Sequence, residues 1–113
     1  MAHWFLIPVK TVAGLNAREH WRARSSRVKK ERTTAALMTP AGIKLPCTVK
    51  MSRLSSSKLD DDNLQGACKA IRDGIADKIG FPDNDPRIVW LYGQEKCKRG
   101  EFGVRVLIME GHP

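Results

Sequence analysis

The sequence predicts an α+β domain with the element order β-α-β-α-β-β, in which one mixed sheet carries two packed helices. The length of 113 residues suits one modest core, so a single domain spanning residues 1–113 is expected. Short apolar or alternating segments predict the strands, and a helical period predicts the second helix. The apolar residues that mark this period are Leu64, Cys68, Ile71, Ile75 and Ile79.

The first two elements follow from apolar spacing. Residues 4–9, Trp-Phe-Leu-Ile-Pro-Val, are predicted to form a buried strand. A helix is expected from residue 17 to about residue 37, because Trp21, Val28 and Ala35 recur every seven residues as a narrow apolar stripe. The proline and glycine that follow end this helix.

The second half of the chain is predicted in the same way. Residues 46–54 alternate, with Cys47, Val49 and Met51 on one side, which is typical of a half-buried strand. Asp62 occupies the expected N-cap of the second helix, which runs to Ile79 and stops at a glycine. The remaining segments are a buried strand at residues 88–92, a basic hairpin loop at 96–103 and a last strand at 104–108.

The charge of the chain is strongly positive and unevenly distributed. The formal net charge is +8 and the isoelectric point about 9.8. Residues 1–57 contain only two acidic side chains, Glu19 and Glu31, so a basic half adjoins a nearly neutral one. This asymmetry favours a polyanionic partner, although a basic surface can also serve solubility alone.

The cysteines and the hydropathy restrict the class of protein. The three cysteines are widely spaced and form no C-x-x-C motif, which argues against a zinc site or a disulfide framework and favours a reducing cytoplasm. No apolar run approaches the roughly 20 residues of a membrane span, so no membrane partner is expected.

Two groups of aspartates bracket the second helix. Asp60, Asp61 and Asp62 precede it, and Asp83 and Asp85 follow it. Crowded carboxylates repel one another, and Mg²⁺, or Mn²⁺ in its place, relieves that repulsion. A metal ion beside a basic surface points to phosphodiester hydrolysis. In the alternative reading these residues only cap the helix and form an Asx turn. The two groups can converge only if the loop after the helix folds back toward its start.

Lys69 is a further candidate for catalysis. Helical spacing puts it on the same face as Asp62, Gly66 and Asp73, where an ammonium group can stabilise charge that develops on a phosphate. The alternative is an exposed lysine paired with Asp73 at i,i+4. Gly66 costs the helix roughly 1 kcal/mol relative to alanine, and the close approach of a DNA strand is one reason to keep it.

Basic residues of the first helix and of the predicted hairpin are expected to bind DNA through its phosphates. Trp21 and Trp90 are interpreted as core residues rather than as base-stacking platforms. The predicted DNA-binding residues are Arg18, Arg22, Arg24, Arg27, Lys29, Lys30, Lys96, Lys98 and Arg99.

The chain resembles the RusA family of Holliday-junction resolvases. That family has a D-x-D-N motif at a helix start and a second acidic motif before a strand. Here the motifs read Leu-Asp-Asp-Asp-Asn-Leu-Gln at 59–65 and Gly-Phe-Pro-Asp-Asn-Asp-Pro at 80–86, and the predicted element order also matches. The resemblance implies that Asp60, Asp62 and Asp85 bind the metal. Gly66 stands where the family has an essential lysine, and Lys69 follows one turn later.

The function implied by the resemblance is a metal-dependent endodeoxyribonuclease. Such an enzyme acts as a homodimer and resolves branched, four-way DNA by paired symmetric nicks, with Lys69 assisting electrostatically. One alternative is a non-catalytic nucleic-acid-binding module with a structural acidic loop. Another is an interaction protein whose acidic face binds a basic partner.

Overall fold

The computed structural model describes residues 2–11 and 21–111, and it confirms the predicted α+β class and element order. A mixed sheet of four strands carries two helices within these residues. The elements are β1 (Ala2–Ile7), α1 (Trp21–Met38), β2 (Cys47–Ser55), α2 (Asp61–Ile79), β3 (Ile88–Lys96) and β4 (Gly103–Glu110).

The strand order in the sheet is β1-β4-β2-β3. β4 pairs antiparallel with both β1 and β2, and β2 pairs parallel with β3. The parallel pair needs a crossover, which α2 supplies. The start of α2 therefore lies near the end of β2, and the loop after α2 returns the chain to the opposite end of the sheet.

The core lies between the helices and one face of the sheet. The strands contribute alternate side chains from this face, as their period of two requires. α2 contributes Leu64, Cys68, Ile71 and Ile75, all buried as predicted, while Ile79 is partly buried against them. The fully buried sheet residues are Ile7, Cys47, Val49, Met51, Val104, Val106 and Ile108.

The helices approach each other closely at Gly74. A Cβ atom built on Gly74 would overlap the main-chain oxygen of Arg32 and lie 2.8 Å from the Cβ atom of Ala35. Arg32 also forms a two-bond ion pair with Asp77, with bonds of 2.7 and 2.9 Å. A residue without a side chain thus permits the contact that holds α1 on α2.

The caps of α2 differ in one respect from the prediction. Gly80 ends the helix in the left-handed conformation, with φ of 94°, as expected. The N-cap, however, is Asp60 and not Asp62: Asp60 Oδ1 accepts a hydrogen bond of 2.9 Å from the amide of Asn63. The helix starts earlier because Asp61 and Asp62 both suit the first turn of a helix dipole.

Two further predictions were wrong. Residues 96–103 do not form a hairpin loop, because β2 lies between β3 and β4 in the sheet and the connection crosses over it.

Trp21 is not a core residue: it is 66% exposed, and Val28 is 38% exposed. Of the predicted stripe on α1, only Ala35 is buried, because α1 contacts α2 mainly through its second half. Trp90 packs partly buried against the core, as predicted.

Candidate functional site

The first acidic group lies on the exposed start of α2. Asp61 and Asp62 are exposed, and Asp60 is exposed with one carboxylate oxygen engaged by the helix cap. Gln94 of β3 holds the preceding residue with two hydrogen bonds, accepting from the Leu59 amide at 2.9 Å and donating to the Leu59 carbonyl at 2.8 Å. The carboxylates therefore project from a backbone that the sheet fixes in place.

The loop after α2 folds back along the helix. Lys69 Nζ donates to Asp83 Oδ2 at 2.8 Å and to Asp73 Oδ1 at 3.0 Å. The predicted i,i+4 contact between Lys69 and Asp73 is thereby confirmed, and Asp83 is an additional partner. The rise of the helix places Lys69 about 10 Å beyond Asp62. The loop that folds back onto Lys69 therefore brings Asp83 part of the way toward Asp62.

Arg72 fixes this loop from a second direction. Its guanidinium donates to the carboxylate of Asp83 at 2.8 Å, to the carbonyl of Asp83 at 3.2 Å and to the hydroxyl of Tyr92 at 2.9 Å. It also lies 4.8 Å from the centre of the Trp90 ring, whose indole N–H donates to the Asp83 carbonyl at 2.7 Å. Asp83 is thus a structural anchor between helix and sheet.

The contact between Lys69 and Asp83 shifts both groups toward their charged forms. The hydrogen bond to Asp83, followed by the one to Asp73, raises the pKa of Lys69. The same bond from Lys69, with a further contribution from Arg72, lowers the pKa of Asp83. Lys69 therefore carries its charge at neutral pH, but two carboxylates already accept its hydrogen bonds.

Asp85 is engaged by a different cation. Arg87 donates from Nε to Asp85 Oδ1 at 3.0 Å and from Nη2 to Oδ2 at 2.8 Å, and its amide also donates to Oδ1. These bonds lower the pKa of Asp85 to about 2. The guanidinium of Arg87 lies 4.6 Å from the centre of the Phe81 ring, which fixes it over the loop.

The predicted metal ligands are not assembled as a set of three. Within residues 2–11 and 21–111, no three acidic, histidine or cysteine side chains are placed to hold one metal ion. Asp85 has both oxygens on Arg87, whereas Asp60 and Asp62 present exposed carboxylates two positions apart. Mg²⁺ is commonly held by one or two carboxylates together with water and substrate phosphates. Among the described residues, Asp60 and Asp62 are the predicted ligands without an ion-pair partner, and one oxygen of Asp60 caps the helix.

The basic residues of α1 divide into exposed and engaged groups. Lys29, Lys30 and Arg22 are exposed, with Arg22 lying over the Trp21 ring at 5.2 Å. Arg27 is half-buried and donates to Glu31 at 3.0 Å. Arg24 is also half-buried. Arg18 lies outside the described residues.

The remaining predicted DNA-binding residues lie at the end of the sheet where β2 and β3 terminate. Lys96 ends β3, and Lys98 and Arg99 lie exposed in the crossover to β4. Since β2 and β3 run parallel, this crossover is at the same end of the sheet as the start of α2. Two predicted groups, the first aspartates and the 96–99 cations, therefore share one end of the molecule.

Sequence reasoning missed three arginines that organise this region. Arg72 and Arg87 bind the second acidic group, and Arg53 is buried at the end of β2. The one sequence signal was the position of Arg53 inside an alternating strand, where a charged residue requires a partner. The partners of Arg72 and Arg87 depend on the loop conformation, which no local pattern specifies.

Comparison with known proteins finds a relative of uncharacterized function. No family model matches the chain. An uncharacterized protein of Xylella fastidiosa (strain Temecula1) is 37% identical over 78 residues, which cover 60% of this chain and 51% of that protein. The chain thus spans about half the length of this relative. Among the described residues, no helix combines the length and the apolar character needed to cross a membrane.

Proposed function

We propose that this protein is a RusA-type endodeoxyribonuclease that binds and nicks branched, four-way DNA. The observation that carries the proposal is the fold-back of the loop after α2, which brings Asp83 onto the face of α2 that bears Lys69. The motif resemblance and the basic surface support the same reading.

In this proposal the chain's own residues have separate roles. Asp60 and Asp62 would hold Mg²⁺, or Mn²⁺, with a substrate phosphate, and the ion would activate water and neutralise charge on the phosphate. Lys69 supplies a cation on the same helix face. Asp83 orients this lysine, and Arg72 keeps Asp83 in place. Asp85 joins the site only if it exchanges its ion pair with Arg87.

The proposed enzyme is a homodimer, so that two sites nick opposite strands. The sheet face away from the helices is the surface proposed for a second copy, and it mixes apolar and charged side chains, because Lys50 lies between Leu91 and Leu107. Trp4 and Leu6 of β1 and Leu91 of β3 are exposed there, beside the half-buried Leu107. Exposed large apolar side chains beside polar ones are typical of protein interfaces.

A second candidate function is a non-catalytic DNA-binding module. The observation in its favour is that Asp83 and Asp85 are each held by cations of the same chain, as in a purely structural loop. The two candidates differ in one assay. Incubation of the purified protein with a synthetic four-way junction and Mg²⁺ yields symmetric nicks if the nuclease proposal is right. Junction binding without nicks, in Mg²⁺ and in Mn²⁺, overturns it and leaves the binding module.

A further inference from the structure

A pocket of about 350 Å³ lies at the end of β2, between the segment after β1 and the crossover from β3 to β4. Its lining contains three basic side chains and three hydroxyl side chains, together with one acidic and two large apolar residues. The residues that matter here are Lys10, Arg53, Ser55, Ser56, Arg99 and Glu101.

Arg53 makes this pocket unusual, because its side chain is charged and only 6% of the residue is exposed. Its Nε donates to the Thr11 hydroxyl at 2.8 Å, and its Nη1 donates to the Ser57 carbonyl at 2.9 Å. Both acceptors are neutral. Within residues 2–11 and 21–111, no carboxylate forms an ion pair with Arg53. The guanidinium has five N–H donors, so its capacity exceeds these two bonds.

A buried cation that pairs with no carboxylate of the described residues is costly, and an anion that enters from solvent offsets that cost. The pocket is suited to such an anion. Lys10 and Arg99 are exposed on its rim, and the hydroxyls of Ser55 and Ser56 add neutral donors. Glu101 is exposed, so the three cations outweigh its single negative charge. A guanidinium fork matches the oxygens of a phosphate better than a single halide ion.

We propose that this pocket binds a phosphate group of the nucleic-acid backbone, with Arg53 as the buried anchor and Lys10 and Arg99 as rim contacts. The identity of the ligand as nucleic acid rests on the proposed function, whereas the phosphate chemistry rests on the pocket itself. Arg53 also holds Ser57, which lies three positions before Asp60. A backbone phosphate bound in this pocket places a DNA strand beside the start of α2.

The first arm of the test measures inorganic phosphate. Titration into ¹⁵N-labelled protein should shift the amide signals of Ser55, Ser56 and Gly100 in a saturable manner. Arg53→Gln should abolish these shifts. Because Arg53 is buried and its replacement can unfold the protein, Arg99→Gln serves as the second variant. It should weaken phosphate binding about two- to fivefold, the scale of an exposed ion contact. Lys78→Gln, an exposed basic position outside the pocket, is the matched control and should bind phosphate normally.

The second arm measures junction DNA over a range of salt concentrations. Loss of one phosphate contact in Arg99→Gln should reduce the slope of log affinity against log salt by about 0.9, with Lys78→Gln unchanged. Absence of saturable shifts in the wild-type protein, or equal phosphate binding by wild type and both pocket variants, overturns the pocket. If the pocket binds phosphate but the salt dependence of DNA affinity is unaltered in Arg99→Gln, the ligand of the pocket is free phosphate and not nucleic acid. A failure of the wild-type protein to bind DNA at all contradicts the proposed function separately.

Discussion

Lys69 in the middle of α2 donates a 2.8 Å hydrogen bond to Asp83, and this contact joins the helix to the loop that follows it. The same lysine also binds Asp73. A lysine held by two carboxylates is oriented but not free, so in the proposed enzyme a substrate phosphate would compete with Asp73 and Asp83 for it. In the structural interpretation of the acidic loop, Lys69 only pairs with these two carboxylates. In the catalytic interpretation, it also contacts the phosphate.

Replacement of Lys69 by alanine separates these two readings. If the lysine stabilises charge on the phosphate, Lys69→Ala should slow junction cleavage by about 10²-fold or more. If the lysine only pairs with its neighbours, the rate should stay within about twofold, because an exposed ion pair contributes less than about 1 kcal/mol. Single-turnover cleavage measures the difference. Lys78→Ala, another exposed lysine of α2, is the control and should cleave normally.

The same variant has a readout that does not depend on activity. Lys69 lowers the pKa of Asp83, so Lys69→Ala should raise that pKa toward the ordinary value of an aspartate. The ¹³C carboxyl signals of the aspartates followed over pH report it. Asp85, which pairs with Arg87, should not move in the same spectra. An unchanged Asp83 would show that the two side chains do not pair in solution.

Acid stability should depend on the pair formed by Asp85 and Arg87. The pKa of Asp85 is about 2 in the folded protein, below its ordinary value of 3.8. As the pH falls, Asp85 therefore takes up a proton in the unfolded state at a higher pH than in the folded state. The stabilising effect of the pair is fully present above pH 3.8 and is lost as the pH falls toward 2. Arg87→Gln should raise the pKa of Asp85 and remove this part of the pH dependence of urea unfolding. A wild-type pH profile in this variant would contradict the assignment.

Two glycines of α2 should respond in opposite directions to alanine. Gly74→Ala forces a methyl group into the Arg32 main chain and should destabilise the fold by about 1–3 kcal/mol, the usual cost of overpacking. Gly66→Ala, on the exposed side of the same helix, should stabilise by about 1 kcal/mol through helix propensity. Urea unfolding compares the two. Equal effects of the two substitutions would contradict the close approach of α1 and α2.

The sequence predicted α2 well and α1 poorly, for a physical reason. The apolar period of α2 corresponds to a face that is buried along its length, so pattern and burial agree. On α1 the spacing of Trp21, Val28 and Ala35 is equally regular, but only Ala35 reaches the core. A periodic stripe shows which face is apolar and does not show how much of it another element covers.

The order of the strands and the conformation of the loops could not be predicted from the sequence. Alternation located β4, but its insertion between β1 and β2 depends on pairings between distant segments. In the site, the contact of Lys69 with Asp73 followed from helical spacing, whereas the contact with Asp83 needed the fold-back of the loop. Local patterns predict side-chain pairs within one element, and contacts between elements need the tertiary structure.

Junction cleavage by Asp62→Asn decides whether the start of α2 is the proposed metal site. This change removes a charge from the exposed start of α2 but keeps the shape of the side chain, and Asp62 is not the helix cap. We expect the wild-type protein to nick a four-way junction in Mg²⁺, and Asp62→Asn to bind the junction at least as tightly but to lose nicking, with Asp61→Asn as the neighbouring control that still cleaves. Nicking by Asp62→Asn at the wild-type rate would rule out the proposed metal site.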